Sequence, residues 1–330
     1  MTQIAVFGAG SYGTSLAIQL ARNGCDTLLW GRDAAQLKQL AAERVNQRYL
    51  PGCDFPARLR VAESLEQAAA VSFWLLAVPS HALGPLVDTL KPLATGPRRV
   101  ACASKGFEPE TGRLAHEVVA DGLGRVPFAI VSGPTFAKEV GRGLPSAITI
   151  ASRTPGFAAE TADALHGPGM RAYTSDDVIG VEVGGGVKNV IAIAVGAADG
   201  MGLGANTRAL LITRGMREIM RLGEAMGGQA ETLMGLSGMG DLVLTCTDDQ
   251  SRNRRLGKAI GQGRDVDAAQ QEIGQVVEGV RNAVEVNLLA TRYKVEMPIS
   301  QQVYRVLHEG VAVRQAFYEL SSRPPGAESR

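Results

Sequence analysis

Six residues near the start of the chain narrow the fold more than any others. Gly8-Ala9-Gly10-Ser11-Tyr12-Gly13 follows the apolar run Ile4-Ala5-Val6-Phe7. It opens a segment, Tyr12 to Arg22, in which Leu16, Ala17, Leu20 and Ala21 recur at helical spacing. A GxGxxG pattern alone is a weak signal. Between a strand and a helix it is specific, because each glycine then has its own task. Gly8 permits the tight turn, Gly10 lets a pyrophosphate approach the backbone, and Gly13 lets the helix lie against the strand. The unbonded N–H groups of the first helical turn then face the phosphates.

The segments that follow alternate. Short apolar runs at Thr27–Trp30, Val71–Val78, Val100–Ala103, Phe128–Val131, Ala147–Ala151 and Arg171–Tyr173 are separated by helical patterns. Those helices are expected at Ala34–Arg44, Ser80–Leu93, Thr111–Asp121, Phe136–Arg142 and Gly156–Leu165. Continuously apolar strands between helices predict a parallel sheet covered on both faces, a Rossmann-like doubly wound α/β domain. From Val181 the pattern changes to 3.6-residue periodicity throughout. The chain is therefore expected to divide into a nucleotide-binding domain over 1–180, an all-α domain over 181–320 and a flexible tail over 321–330.

Composition removes other classes. Lys and Arg number 34 and Asp and Glu 33, a balance that argues against nucleic acid as a partner. The 40 glycines among 330 residues follow no period, so the excess points to tight turns and close backbone approaches rather than to a fibre. Cys25, Cys53, Cys102 and Cys246 form no CxxC pair, so no metal site is expected and reduced, cytoplasmic thiols are. The opening MTQIAVFGAG reads as no leader, and Ala68–Val78, taken as the longest apolar run, is too short to span a bilayer.

The second strand ends at Gly31-Arg32-Asp33, without the acid that usually bonds a ribose 2′-hydroxyl. Arg32 there suits a 2′-phosphate, so NADPH is expected in preference to NADH, with NADH tolerated. Lys188 is the most unusual charge. Gly184, Gly185, Ile191 and Ala192 lie three and four residues away, and Val181 and Val195 extend that face. A lysine on such a face is desolvated and suited to acid–base chemistry; Gly184-Gly185-Gly186 would let something large approach the backbone. His81, at a strand end, is a lesser alternative. Lys105 in Ser104-Lys105-Gly106 and Thr135 in Gly133-Pro134-Thr135 follow predicted strands, where ligands of open α/β sheets lie. Ser251-Arg252-Asn253-Arg254-Arg255 puts hydroxyl, amide and guanidinium at one helix start, a phosphate site if it is not merely a solvated basic face. Asp241, among glycines and apolar residues, could hold Lys188 or a substrate hydroxyl.

Together the stretches GAGSYGT (8–14), SKG (104–106), SGPTFAKE (132–139), VKNVIAIA (187–194), GANTRALLITRG (204–215), GMGDLVLTCT (238–247), SRNRR (251–255) and GQVVEG (274–279) resemble the bacterial NAD(P)-dependent glycerol-3-phosphate dehydrogenases. The resemblance implies Lys188 as proton acceptor. It implies a glycerol phosphate site at Lys105, Gly133, Thr135, Lys188, Asp241, Ser251, Arg252 and Asn253. For the dinucleotide it implies Ser11, Tyr12, Arg32, Tyr49, Lys105, Ala137, Arg252, Val276 and Glu278, beside the glycines Gly8, Gly10 and Gly13. The implied partners are sn-glycerol 3-phosphate and dihydroxyacetone phosphate, and the implied role is supply of the former for phospholipids. A homodimer is compatible with this reading. Two alternatives are another lysine-using reductase acting on a carboxylate, and a dinucleotide sensor without turnover.

Overall fold

The computed structural model describes residues 2–324, so positions 325–330 of the expected tail lie outside the described residues. The chain divides into two compact units: one holds the residues up to Glu108 and Arg113–Val181, the other Pro109–Gly112 and the chain from Glu182 onward.

In chain order the first unit runs β1 (Gln3–Phe7), α1 (Ser11–Arg22), β2 (Asp26–Trp30), α2 (Ala34–Glu43), β3 (Val45–Asn46), β4 (Leu50–Asp54), β5 (Leu59–Val61), α3 (Leu65–Ala69), β6 (Phe73–Leu76), α4 (Ser80–Leu90), β7 (Arg99–Cys102), α5 (Ala115–Leu123), β8 (Phe128–Ser132), α6 (Ala137–Arg142), β9 (Ser146–Ala151), α7 (Phe157–Leu165) and β10 (Met170–Ser175). Eight strands form one sheet in the order β10-β9-β8-β7-β6-β1-β2-β5, and β3 and β4 form a separate antiparallel pair. The strands read as continuously apolar because both faces are covered. Ile4 and Val6 join Leu16, Leu20 and Phe157 on one face, whereas Ala5 and Phe7 join Leu83, Val87 and Val118 on the other.

The sheet is predominantly parallel, as the sequence predicted, with one antiparallel pair. β9 pairs antiparallel with β8, and β10 runs parallel to β9. The cause is α6, which leaves the sheet to pack on α1. There Arg22 Nη1 and Nη2 donate to the carbonyls of Val140 (3.2 Å) and Gly141 (2.5 Å). The chain then re-enters the sheet from the same end. The expected helix at Thr111 starts instead at Ala115, because Glu110 and Gly112 adopt positive φ (66° and 69°). β3 to β5 went unread because they are short and β4 contains Pro51-Gly52.

Among its described residues the second unit contains no strand. It runs from α8 (Val178–Gly200), whose first turn belongs to the first unit, through α9 (Gly204–Ala225), α10 (Ala230–Met234), a π turn (Leu236–Gly240), α11 (Asp241–Thr247), α12 (Arg252–Gly261), α13 (Val266–Ile273), α14 (Glu278–Tyr293) and α15 (Pro298–His308) to α16 (Val313–Ser321). Ser321 thus closes a helix instead of opening a tail. α8 has a mean hydropathy of 1.7 over its most apolar window. It is long enough to cross a bilayer, but 89% of that window is buried inside the protein, which makes it the central core helix. α12 crosses it backbone to backbone. A Cβ at Gly196 or Gly200 would collide with the carbonyls of Arg254 or Lys258, and one at Gly257 or Gly261 with those of Ile193 or Ala197. Glycines four apart on both helices therefore fix how α12 lies on α8.

Candidate active site

The nucleotide cradle is built at the end of β1. Gly8 turns the chain at φ 128° while its N–H donates to Trp30 O (2.8 Å). A side chain at Gly8 would strike the Ala77 carbonyl and one at Gly13 the Gly8 carbonyl, but a Cβ at Gly10 would meet nothing within 4 Å. Gly8 and Gly13 thus serve the fold, whereas Gly10 borders open space. Gly10 is the N-cap of α1, no side chain bonds there, and Ser11 and Tyr12 begin the helix. Such an opening, with unbonded N–H groups and a positive helix end, fits a pyrophosphate. Asn46 secures the loop, donating to Ala9 O (3.0 Å) and Thr14 Oγ1 (2.9 Å) and accepting from Tyr49 N (3.2 Å). Tyr49 is half-buried, with the Arg48 guanidinium 5.0 Å from its ring centre. Arg32 is exposed, while Asp33 is committed as the cap of α2, accepting from Ala35 N (3.0 Å) and Gln36 N (3.1 Å).

Four predicted residues meet beyond β7 and β8. Lys105 Nζ donates to Gly133 O (3.1 Å) and lies 5.5 Å from the centre of the Tyr12 ring. The Tyr12 hydroxyl bonds Thr135 Oγ1 (2.9 Å), so fingerprint helix and strand-end loop are linked directly. Gly133 admits no side chain, since its Cβ would stand 2.9 Å from Ala147 O. Ala137 is the first residue of α6.

In the helical unit Lys188 is 6% exposed and Asp241 2%. Lys188 Nζ donates to Asp241 Oδ1 (2.6 Å) and to Thr245 Oγ1 (2.9 Å). Asp241 and Thr245 are i and i+4 on α11, so one helix face holds the ammonium from two positions. Thr245 escaped the sequence reading; the i,i+4 spacing within GMGDLVLTCT was the available signal. Gly184, one of the glycines beside Lys188, gives room to another part of the chain. A Cβ at Gly184 would lie 2.9 Å from Ser237 O and 3.0 Å from Gly238 Cα, so the close neighbour there is the π turn leading into α11. Burial pushes the Cys246 thiol up to about 12, against the pull of Lys188 and Arg254, so it is an inert part of this wall.

Ser251 caps α12, accepting from Arg254 N (3.2 Å). Asn253 Nδ2 donates to Asn189 Oδ1 (2.8 Å), and Asn253 Oδ1 accepts from Gly279 N (2.9 Å). This one amide joins α8, α12 and the start of α14, where Glu278 is the first residue. Asn189 is a second residue the sequence reading missed, although it adjoins Lys188. Arg252 is half-buried and its side chain makes no hydrogen bond or ion pair among the described residues, whereas Val276 is 42% exposed. Among the described residues no three His, Cys, Asp or Glu side chains could hold a metal ion together.

Oxidoreductases that work with NAD(P) are the class these two units fit: one offers a dinucleotide cradle, the other a buried lysine held by a carboxylate and a hydroxyl. The chain belongs to the NAD-dependent glycerol-3-phosphate dehydrogenase family. The family's N-terminal model matches residues 3–158 and its C-terminal model residues 177–318. Glycerol-3-phosphate dehydrogenase [NAD(P)+] of Shewanella sp. (strain MR-4) is 54% identical over 329 residues, covering 99% of this chain and 97% of its own. Its counterpart in Vibrio campbellii is 52% identical over 328 residues, 98% of this chain and 95% of its own. The crystal structure of glycerol-3-phosphate dehydrogenase from Coxiella burnetii superposes with a TM-score of 0.95 at 47% identity, covering 98% of this chain and 99% of that one.

Proposed function

We propose that this chain interconverts dihydroxyacetone phosphate and sn-glycerol 3-phosphate in the cytoplasm, preferring NADPH to NADH, and supplies the alcohol for glycerophospholipid synthesis. The family and the 54% identical relative support the reaction. The observation that carries the chemistry is the buried Lys188–Asp241 pair. Hydride chemistry at C2 of the substrate would be supplied by the nicotinamide when it is bound. Lys188 takes the hydroxyl proton when the alcohol is oxidised and returns it when the ketone is reduced. Asp241 and Thr245 hold its ammonium in one place, so the proton moves from a fixed point.

In this reading the phosphate lies against the start of α12, on Ser251, Arg252 and Asn253. The Arg252 side chain, half-buried and with no bond among the described residues, is suited to a dianion. Lys105, Gly133 and Thr135 complete the substrate contacts. The dinucleotide takes the Gly8, Gly10 and Gly13 loop with Ser11, Tyr12, Tyr49, Lys105, Ala137, Arg252, Val276 and Glu278. Arg32, exposed at the end of β2 with Asp33 turned to its helix cap, favours a 2′-phosphate over a 2′-hydroxyl. The exposed apolar side chains Leu210 and Met234 would suit a homodimer contact, checked by sedimentation. The test of the reaction is NADPH oxidation with dihydroxyacetone phosphate and with dihydroxyacetone. The phosphorylated ketone should be turned over with far higher kcat/KM, since its phosphate contributes to positioning. Comparable values for the two ketones contradict the phosphate assignment.

A further inference from the structure

The residue two places after Arg252 has a different environment. Arg254 is buried, and its guanidinium reaches three separate segments. Nη2 donates to Asp199 Oδ2 at the end of α8 (2.6 Å), Nε donates to the Cys246 carbonyl in the last turn of α11 (3.0 Å), and Nη1 pairs with Asp249 in the loop between α11 and α12. Asp199 is held in turn by Arg208 of α9, with Nη2 to Oδ1 at 2.9 Å.

The structure assigns to Arg254, with Asp199 as its counter-ion, the positioning of the phosphate-binding turn relative to the proton-transfer lysine. Three connections support this. α11 carries Asp241 and Thr245, which hold Lys188, and Arg254 bonds one of the carbonyls left unsatisfied at that helix's C-terminal end. α12 begins with Ser251, Arg252 and Asn253, and Arg254 belongs to the same first turn, its N–H closing the Ser251 cap. α8 carries Lys188, and Asp199 lies roughly three turns further along it. One planar, rigid fork thus ties together the three helices whose relative placement sets the distance from phosphate to ammonium.

Stability alone gives a poor reason for this arrangement. A buried ion pair contributes little over an apolar replacement of similar volume, and the glycine crossing of α8 and α12 already packs the helices. What apolar packing does not provide is bonds in three directions from one group. The inference rests on the proposed phosphate site at Arg252.

The test is Arg254→Lys, which keeps the charge for Asp199 but cannot span all three acceptors. Its kcat/KM with dihydroxyacetone phosphate should fall about 10- to 100-fold, through both KM and kcat, while that with dihydroxyacetone changes by less than about twofold. A merely structural role moves both substrates together, so equal losses, or no loss, overturn the proposal. Asp199→Asn carries the same comparison if Arg254→Lys does not accumulate as folded protein. Arg252→Ala, measured in parallel, separates the two levels. A ratio unchanged there overturns the phosphate site itself, whereas a ratio collapsed in Arg252→Ala but intact in Arg254→Lys overturns the positioning role alone.

Discussion

Replacing Lys188 by methionine keeps most of the side chain's length and removes its charge. The structure sets two separate costs for this change. Asp241 is 2% exposed, and the variant leaves its carboxylate with the Thr245 hydroxyl but without the ammonium at 2.6 Å. Breaking a buried pair from one side costs about 3–5 kcal/mol, because the remaining buried charge loses its counter-ion. For a unit of this size that lowers Tm by about 6–20 °C, at roughly 2–4 °C per kcal/mol. Turnover should fall by about 10²–10⁴-fold, the usual worth of a positioned proton-transfer group. The second substitution, Asp241→Asn, tells the two costs apart. The Lys188→Met, Asp241→Asn double variant buries no charge at this point, so it should regain most of the lost Tm and none of the lost turnover. The assays are thermal melting by circular dichroism and NADPH oxidation with saturating dihydroxyacetone phosphate. Near-normal turnover in folded Lys188→Met refutes the acid–base role, leaves the pair structural, and makes Lys105 the next residue to change. Recovery of activity in the double variant would refute it as well.

Arg32→Asp should shift the ratio of kcat/KM values from NADPH toward NADH, since a carboxylate at the end of β2 repels a 2′-phosphate and can bond a 2′-hydroxyl; an unchanged ratio means that Arg32 does not face the ribose. Gly10→Ala should melt within a few degrees of the wild type, because its Cβ meets nothing within 4 Å, yet bind NADPH at least about tenfold more weakly as the methyl group enters the pyrophosphate's space; unchanged affinity by titration calorimetry would place the phosphates elsewhere. Burial raises the Glu218 carboxyl from 4.5 to about 7, although the N–H groups of Ile299 and Ser300 and the Ser300 hydroxyl oppose the shift. The folded chain therefore binds this proton more tightly than the unfolded chain. Relative to Glu218→Gln, the wild type should lose stability as pH rises from 4.5 to about 7 and change no further above that, and a Tm difference that grows with pH contradicts it.

The parts of this molecule that were legible in the sequence depend on neighbours along the chain. Strand β1 and its glycine turn could be read because the strand, the turn and the first N–H groups of the helix lie within a dozen residues. Lys188 stood out because every residue within one helical turn of it is apolar, small or an amide, so its charge had no local explanation. What remained hidden depends on distant placement. The reversal of β9 follows from α6 packing on α1, and the partners of Lys188 follow from where the π turn sets α11 against Gly184. The cluster Ser251–Arg255 shows the limit most clearly. As a string it is one basic run, and a solvated face was a fair alternative. On a helix, however, successive residues point about 100° apart, so adjoining arginines cannot share an environment. Arg252 is half-buried with its side chain unbonded among the described residues, Arg254 is buried in three bonds, and Arg255 is exposed. Counting from Ser251 as the cap separates the three directions, but only the position of α8 and α11 decides which direction is the interior. Two arginines that look equivalent in the sequence thus take different environments, one with its side chain unbonded among the described residues and one fixed between three segments.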